Sequence, residues 1–258
     1  MQKYLIIFSF LLLSACSGLN IDRSYQAKGQ DSRVQYIVLH YTATDFDRSL
    51  YLLTQEQVSS HYLIDDRTAK IYQLVDENRR AWHAGVSAWQ GKTFLNANSI
   101  GIEMVNKGFT EDAAGNKTWY SWNDQQIDQL IVLLKDIMQR HQLGKDSIIA
   151  HSDIAPLRKF DPGPLFPWKR LADEGLISWP DTQQVNALIP RFYQQPSALW
   201  FQQQLAKVGY QVEQHGEWDQ ETHQVLAAFQ MKYRPQNFDG QPDAQTAALL
   251  YVLNQHKG

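Results

Sequence analysis

A nearly continuous apolar run, Val34 to Leu39, stops at His40. A run this apolar predicts a buried central strand, and so a sheet covered by other elements. Ser147-Ile148-Ile149-Ala150 repeats the arrangement and feeds into His151, and Ser99 to Val105 is a third apolar run, interrupted by Glu103. Between these runs the pattern alternates. Arg48 to Ser59 is weakly helical, and His61 to Ile64 turns through Asp65-Asp66-Arg67-Thr68 into the β-rich Lys70 to Val75. Asn123 opens a helix with Gln126 three residues later as its capping partner, and Ile127, Leu130, Ile131, Leu134, Ile137 and Met138 recur at helical spacing. A short helix starts at Pro167-Trp168-Lys169-Arg170. The expected fold is α/β, with a mixed central β-sheet flanked by helices.

The stretch His151 to Gly163 has the composition of a site. It gathers a histidine, Asp153, Asp161, Arg158 and Lys159 in a loop stiffened by Pro156 and Pro162. Two strands that each deliver a histidine at their exit, together with a carboxylate from this loop, would supply three zinc ligands with a fourth position open to water. Asp153 precedes Ile-Ala-Pro, where a short carboxylate commonly caps a turn, so Asp161 is the expected third ligand beside His40 and His151. Glu103 is a carboxylate inside an apolar strand, which is costly unless it is paired or functional. His61, within a strand, reads as a structural histidine. The long loop Trp82 to Asn98 fits neither period, and Trp82, His83, Trp89 and Phe94 are candidates to line a groove.

His151 to Gly163, His40-Tyr41-Thr42, Trp82-His83-Ala84-Gly85 and Asn98 to Glu103 together resemble the zinc-dependent N-acetylmuramoyl-L-alanine amidases, a family related to peptidoglycan recognition proteins and amidase-type phage lysozymes. The resemblance runs from about Val34 to Trp179. It implies zinc held by His40, His151 and Asp161, Glu103 as the acid/base, and Lys159 as a second catalytic residue. His83 near the substrate and Trp82 at the core or rim complete the expected site. The implied reaction is hydrolysis of the amide between N-acetylmuramic acid and L-alanine in peptidoglycan or muropeptides, and the ordinary and anhydro sugars both stay open. A zinc peptidase cutting within the stem peptide would use similar ligands. A non-catalytic peptidoglycan receptor would typically have lost a ligand, and a glycosidase would need a second carboxylate, for which Asp153 is the candidate.

At 258 residues with a net charge of −3, the chain is long enough for a sizeable core and shows no basic excess that would point to nucleic acid. Nothing in it points to an obligate protein partner. Lys3 followed by the apolar Tyr4 to Leu13 reads as a signal peptide, residues 1–15, too short to span a bilayer. Leu13-Ser14-Ala15-Cys16 resembles the lipobox of bacterial lipoproteins, so Cys16, the single cysteine, is the expected lipid attachment point to the membrane. Ser17 after it implies the outer membrane, lipid-anchored and facing the periplasm. Residues 16–33 are expected to be a tether, 34–179 the catalytic domain and 180–196 a proline-interrupted linker.

Residues 197–258 repeat a spacing. Gly216-x-x-Asp219-x-x-Thr222 and Gly240-x-x-Asp243-x-x-Thr246 each precede an apolar helical stretch, so each aspartate is an expected N-cap with its threonine answering at N3. Three short helices follow. The segment resembles the peptidoglycan-binding domain appended to many cell-wall hydrolases, and a small bundle that merely packs on the catalytic domain is the alternative.

Overall fold

The structure is a computed structural model and describes residues 21–255. Cys16, with the expected leader and lipobox, lies outside the described residues. Residues 21–31 belong to a unit of their own and are exposed, without helix or strand. Everything from Ser32 onward belongs to the other unit. Among the described residues no helix is long and apolar enough to cross a membrane.

In chain order the elements are β1 (Tyr36–Tyr41), α1 (Phe46–Gln55), β2 (Tyr62–Ile64), β3 (Ile71–Gln73), β4 (Ala88–Trp89), β5 (Lys92–Thr93), β6 (Ser99–Met104), β7 (Phe109–Glu111), β8 (Lys117–Trp119), α2 (Asp124–His141), β9 (Ile148–Ala150), α3 (His151–Ile154), α4 (Trp168–Asp173), α5 (Thr182–Leu188), α6 (Ala198–Val208), α7 (Gln220–Tyr233) and α8 (Ala244–Gln255). The main sheet has the order β3-β2-β6-β1-β9. Its strands are parallel except for the β2–β3 hairpin, which makes the sheet mixed. β4–β5 and β7–β8 are separate antiparallel ribbons.

Both faces of the central strands are covered, as their apolar runs require. Ile37 and Leu39 of β1 and Ile100, Ile102 and Met104 of β6 pack with Ile127, Leu130, Leu134 and Ile137 of α2. The opposite face, Tyr36 and Val38 of β1 with Ile149 of β9, shares one continuous core with Trp89, Ile154, Phe201, Leu205, Val225 and Phe229. Half of that second layer therefore comes from the C-terminal helices. At this seam Trp89 meets Tyr210 edge-on at 5.0 Å, and the Gln90 amide donates to the Gly209 carbonyl at 2.8 Å. Gly209 has φ +136°, and a Cβ there would sit 2.7 Å from the Trp89 ring. Residues 180–196, expected as a linker, contain α5 and a 3-10 turn (Ile189–Phe192), with Val185 and Phe192 in the same core.

The capping at Asn123 differs in part from the expectation. Its side chain accepts the Gln125 amide, but the Gln126 side chain turns away from the cap and donates to the Ile64 and Val105 carbonyls, both at 3.0 Å. Those carbonyls lie at the end of β2 and just past β6, and although the Ile64 carbonyl already accepts the Val105 amide at 2.9 Å, its second lone pair takes the buried side-chain donor.

The repeat in the C-terminal helices has a structural cause. Asp219 accepts the Thr222 amide at 2.7 Å and Asp243 accepts the Thr246 amide at 2.8 Å. A buried glutamine from the preceding helix then closes each turn. Gln202 donates to the Glu217 carbonyl and the Thr222 hydroxyl and accepts from the Gly216 amide. Gln230 does the same with the Gln241 carbonyl, Thr246 and Gly240. Glycine is needed at Gly240, where φ is +74° and a Cβ would stand 2.4 Å from the His223 carbonyl oxygen.

Candidate active site

β1 and β6 run parallel with His40 opposite Glu103 in register, so the two side chains stand side by side on one face. β9 ends at Ala150 on the other flank of β1 and hands His151 to the first turn of α3. The loop then returns, and the Ser152 amide donates to the Asp161 carbonyl at 2.9 Å, bringing Asp161 back beside His151. His40, His151 and Asp161, far apart in sequence, thus meet in a buried cluster.

The geometry of that cluster is unusual for side chains alone. His40 Nδ1 lies 2.9 Å from His151 Nδ1, and Asp161 Oδ2 lies 3.0 Å and 2.9 Å from the two nitrogens. The partners of the other ring nitrogens fix where the protons are. His151 Nε2 faces the Ala84 carbonyl at 3.1 Å, which can only accept, so the proton is on Nε2. Behind His40 the chain is longer. The Ser99 hydroxyl donates to the Leu95 carbonyl, so its oxygen accepts from His83 Nε2 at 3.2 Å, and His83 Nδ1 then accepts from His40 Nε2 at 3.0 Å. Both Nδ1 atoms therefore carry lone pairs, aimed with a carboxylate oxygen at one point.

Three acceptors converging without a donor are satisfied by a cation. Burial, reinforced by the facing His151, lowers the His40 pKa to about 4, so this imidazole is neutral, as a metal ligand must be. The donor set of two imidazoles and one carboxylate fits a divalent metal.

Beside the cluster opens a cleft of about 370 Å³ whose walls include Tyr41, Trp82, Glu103, Lys159 and Phe160. Glu103 Oε2 is buried with no hydrogen-bond partner among the described residues. Burial and the nearby Asp161 raise its pKa to about 8, against the opposing pull of Lys159. A buried carboxyl whose pKa lies close to neutrality and which faces a cleft can give or take a proton from whatever enters it.

Within the block Trp82 to Gly85, Trp82 takes one of its two expected places, and His83 has a role behind the cluster besides touching the cleft. Trp82 is at the rim, 51 % exposed, under the Arg80 guanidinium at 4.2 Å. His83, although it touches the cleft, is nine-tenths buried and supports His40, while the next residue's carbonyl supports His151. Asn96 seats both by accepting the His83 and Ala84 amides at 3.0 and 2.7 Å. Trp89 is in the core against Tyr210, and Phe94 is exposed outside the cleft. His61 accepts the Gly101 amide and faces the Arg79 carbonyl, which makes it structural.

Two residues have supporting roles that their place in the sequence does not specify. Arg158 donates to the Ala84 and Val86 carbonyls and fixes the loop that backs His151, and Ser99 ends the chain behind His40. Asp153 is fully buried and points away from the cleft toward Tyr210 and Lys232, so it offers no second carboxylate opposite Glu103.

The profile of the N-acetylmuramoyl-L-alanine amidase family matches residues 30–164, and that of a peptidoglycan binding domain matches residues 194–250. N-acetylmuramoyl-L-alanine amidase AmiD of Escherichia coli K12 is 41 % identical over 272 aligned residues, covering 98 % of this chain and 97 % of its own. The solved complex of that AmiD with the substrate anhydro-N-acetylmuramic acid-L-Ala-D-gamma-Glu-L-Lys superposes with a TM-score of 0.83 at 42 % identity, over 93 % of this chain and 95 % of the other. AmpDh3 of Pseudomonas aeruginosa in complex with anhydromuramic pentapeptide gives 0.85 at 38 %, over 92 % and 98 %. With its metal-type cluster, its acid in the cleft and these relatives along almost its whole length, the chain belongs to the N-acetylmuramoyl-L-alanine amidase family.

Proposed function

We propose that the protein is a zinc-dependent hydrolase of the amide joining N-acetylmuramic acid, including its anhydro form, to L-alanine in peptidoglycan and muropeptides. The observation that carries this is the convergence of His40 Nδ1, His151 Nδ1 and Asp161 Oδ2 on one point beside Glu103. The AmiD and AmpDh3 complexes, which hold anhydromuramyl peptides, support the choice of substrate.

His40, His151 and Asp161 hold the metal. When bound, zinc supplies the positive charge that activates a water and polarises the scissile carbonyl. Glu103 takes the proton of the attacking water and returns it to the departing L-alanine nitrogen. Lys159, on the cleft wall, steadies the charge that develops on the carbonyl oxygen. Trp82 offers its exposed face at the rim to a sugar ring or a peptide methyl. Mass spectrometry of muropeptides digested with and without a chelator tests the reading. Free stem peptides beginning with L-alanine, absent under chelation, are expected. A shortened stem still attached to the sugar would replace it with a stem peptidase.

Leu13-Ser14-Ala15-Cys16-Ser17 supports lipid attachment at Cys16 and residence at the outer membrane, facing the periplasm. Cys16→Ala should then release the protein from membranes, and continued pelleting would point to another anchor. The profile match over residues 194–250 supports peptidoglycan contact by the C-terminal helices.

A further inference from the structure

Asp153 lies two residues after His151 and is fully buried. Its Oδ2 accepts from the Ala150 amide at 2.9 Å and from Lys232 Nζ at 2.7 Å, and its Oδ1 accepts from the Tyr210 hydroxyl at 2.6 Å. Tyr210 follows α6 and Lys232 belongs to α7, so two of three partners come from the C-terminal segment. The same ammonium stands 4.2 Å from the centre of the Trp168 ring, in α4 just beyond the loop. One side chain of α7 therefore touches both flanks of the segment that carries His151, Lys159 and Asp161.

A buried ion pair is a poor way to glue a helix onto a sheet, because apolar side chains of similar volume do it as well or better. The surrounding seam is already apolar, built of Trp89, Ile149, Ile154 and Phe229. What a charged, hydrogen-bonded pair adds is position, since it is satisfied in one geometry and heavily penalised in others. Here it fixes the backbone of Ala150 to Ile154, from which His151 projects and to which Asp161 is tied through the Ser152 amide.

We infer that Lys232 and Tyr210 are positioning residues of the metal site, acting through Asp153, so that the C-terminal helices set the spacing of the ligands besides any contact they make with peptidoglycan. The inference rests on the zinc amidase reading above. It differs from that reading in assigning part of the active site to the C-terminal segment.

The test uses the full chain. In Lys232→Met, which keeps the stem and loses the ammonium, zinc affinity by chelator competition should weaken about 10- to 100-fold, as for other residues behind metal ligands. On a soluble muropeptide kcat should fall with KM little changed. Asp153→Asn combined with Lys232→Met leaves no uncompensated charge, so the melting temperature should recover while zinc affinity stays weak. Recovery of both would reduce the pair to charge compensation and overturn the inference, as would wild-type zinc affinity in folded Lys232→Met. If Lys232→Met fails to fold, Tyr210→Phe removes a single hydroxyl and should still weaken zinc binding several-fold, and unchanged affinity there overturns the inference as well. Failure of the zinc reading shows separately, as wild-type protein that binds no zinc. In that event hydrogen exchange decides: the Ser152 and Ala155 amides should exchange faster in Lys232→Met, and equal rates refute the positioning role.

Discussion

His83 stands directly behind His40, its Nδ1 3.0 Å from His40 Nε2, and its ring occupies the space that a Cβ on Gly101 would enter at 2.4 Å. Two positions far apart in sequence thus serve one contact. His83→Ala should weaken zinc binding about 10- to 100-fold while the protein stays folded. Gly101→Ala should do the same by displacing the ring. The double variant should lose no more than either alone, since both remove the same contact. Additive losses, read by chelator competition, would show that Gly101 matters for the strand and not for His83.

Glu103 gives a prediction about pH in metal-free protein. Its pKa is raised from an ordinary 4.5 to about 8, so the folded state keeps a proton that the unfolded state releases. The stability it confers is complete below about pH 4.5 and is lost progressively as pH rises toward 8, at about 1.4 kcal/mol for each unit. Glu103→Gln lacks this dependence. Urea denaturation of both metal-free proteins should show the wild type losing on the order of a few kcal/mol relative to the variant between pH 5 and pH 8. Parallel curves would mean that the carboxyl ionises freely in the cleft. With zinc restored, the variant should bind metal normally yet turn over 10²- to 10⁴-fold more slowly, roughly the span of lost acid–base catalysis.

Removing the metal leaves three acceptors facing one another. Chelation should lower the melting temperature, because zinc at a hundred times its dissociation constant adds about 2.7 kcal/mol and each kcal/mol moves a chain this long by roughly 2–4 °C. Re-addition of one equivalent should restore both melting temperature and activity. His40→Ala, His151→Ala and Asp161→Ala should abolish the zinc-dependent shift, and full zinc occupancy in Asp161→Ala would remove that residue from the ligand set.

Deleting everything after about Pro196 bares Tyr36, Val38, Trp89 and Ile154 and strands Asp153 without Lys232 or Tyr210. Such a truncation should lose activity on small soluble muropeptides as well as on intact wall, with a broadened or absent thermal transition. A helical segment that served only as a tether would spare the small substrate. Comparable rates on a soluble muropeptide for full-length and truncated protein would show that the catalytic segment keeps its core without help.

The sheet is legible in the sequence because its central strands are buried on both faces, and a nearly continuous apolar run such as Val34 to Leu39 does not suit a strand with one face in water. The residues of the cluster are legible because strand exits are where polar side chains must stand out. Position behind the site is not. His83 reads as a residue for the substrate because nothing local distinguishes a histidine facing a cleft from one supporting another histidine. Nothing in the sequence marks Lys232, since its partner is 79 residues away and a buried ion pair leaves no periodic trace. The glycine-aspartate-threonine repeat is visible as a pattern, but Gln202 and Gln230, which give it its structural cause, lie in the helix before each turn.

That separation of 79 residues also dictates an order of events during synthesis. The ribosome releases His40, Glu103, His151 and Asp161 long before α7, and until α7 arrives one face of the sheet lacks much of its cover and the carboxylate of Asp153 its counter-ion. A chain built this way is expected to mature late, once α7 has been delivered, and not domain by domain. A message truncated before Lys232 would then give no competent hydrolase, and the C-terminal helices would double as proof that the whole polypeptide has been delivered before a bond-cutting centre exists.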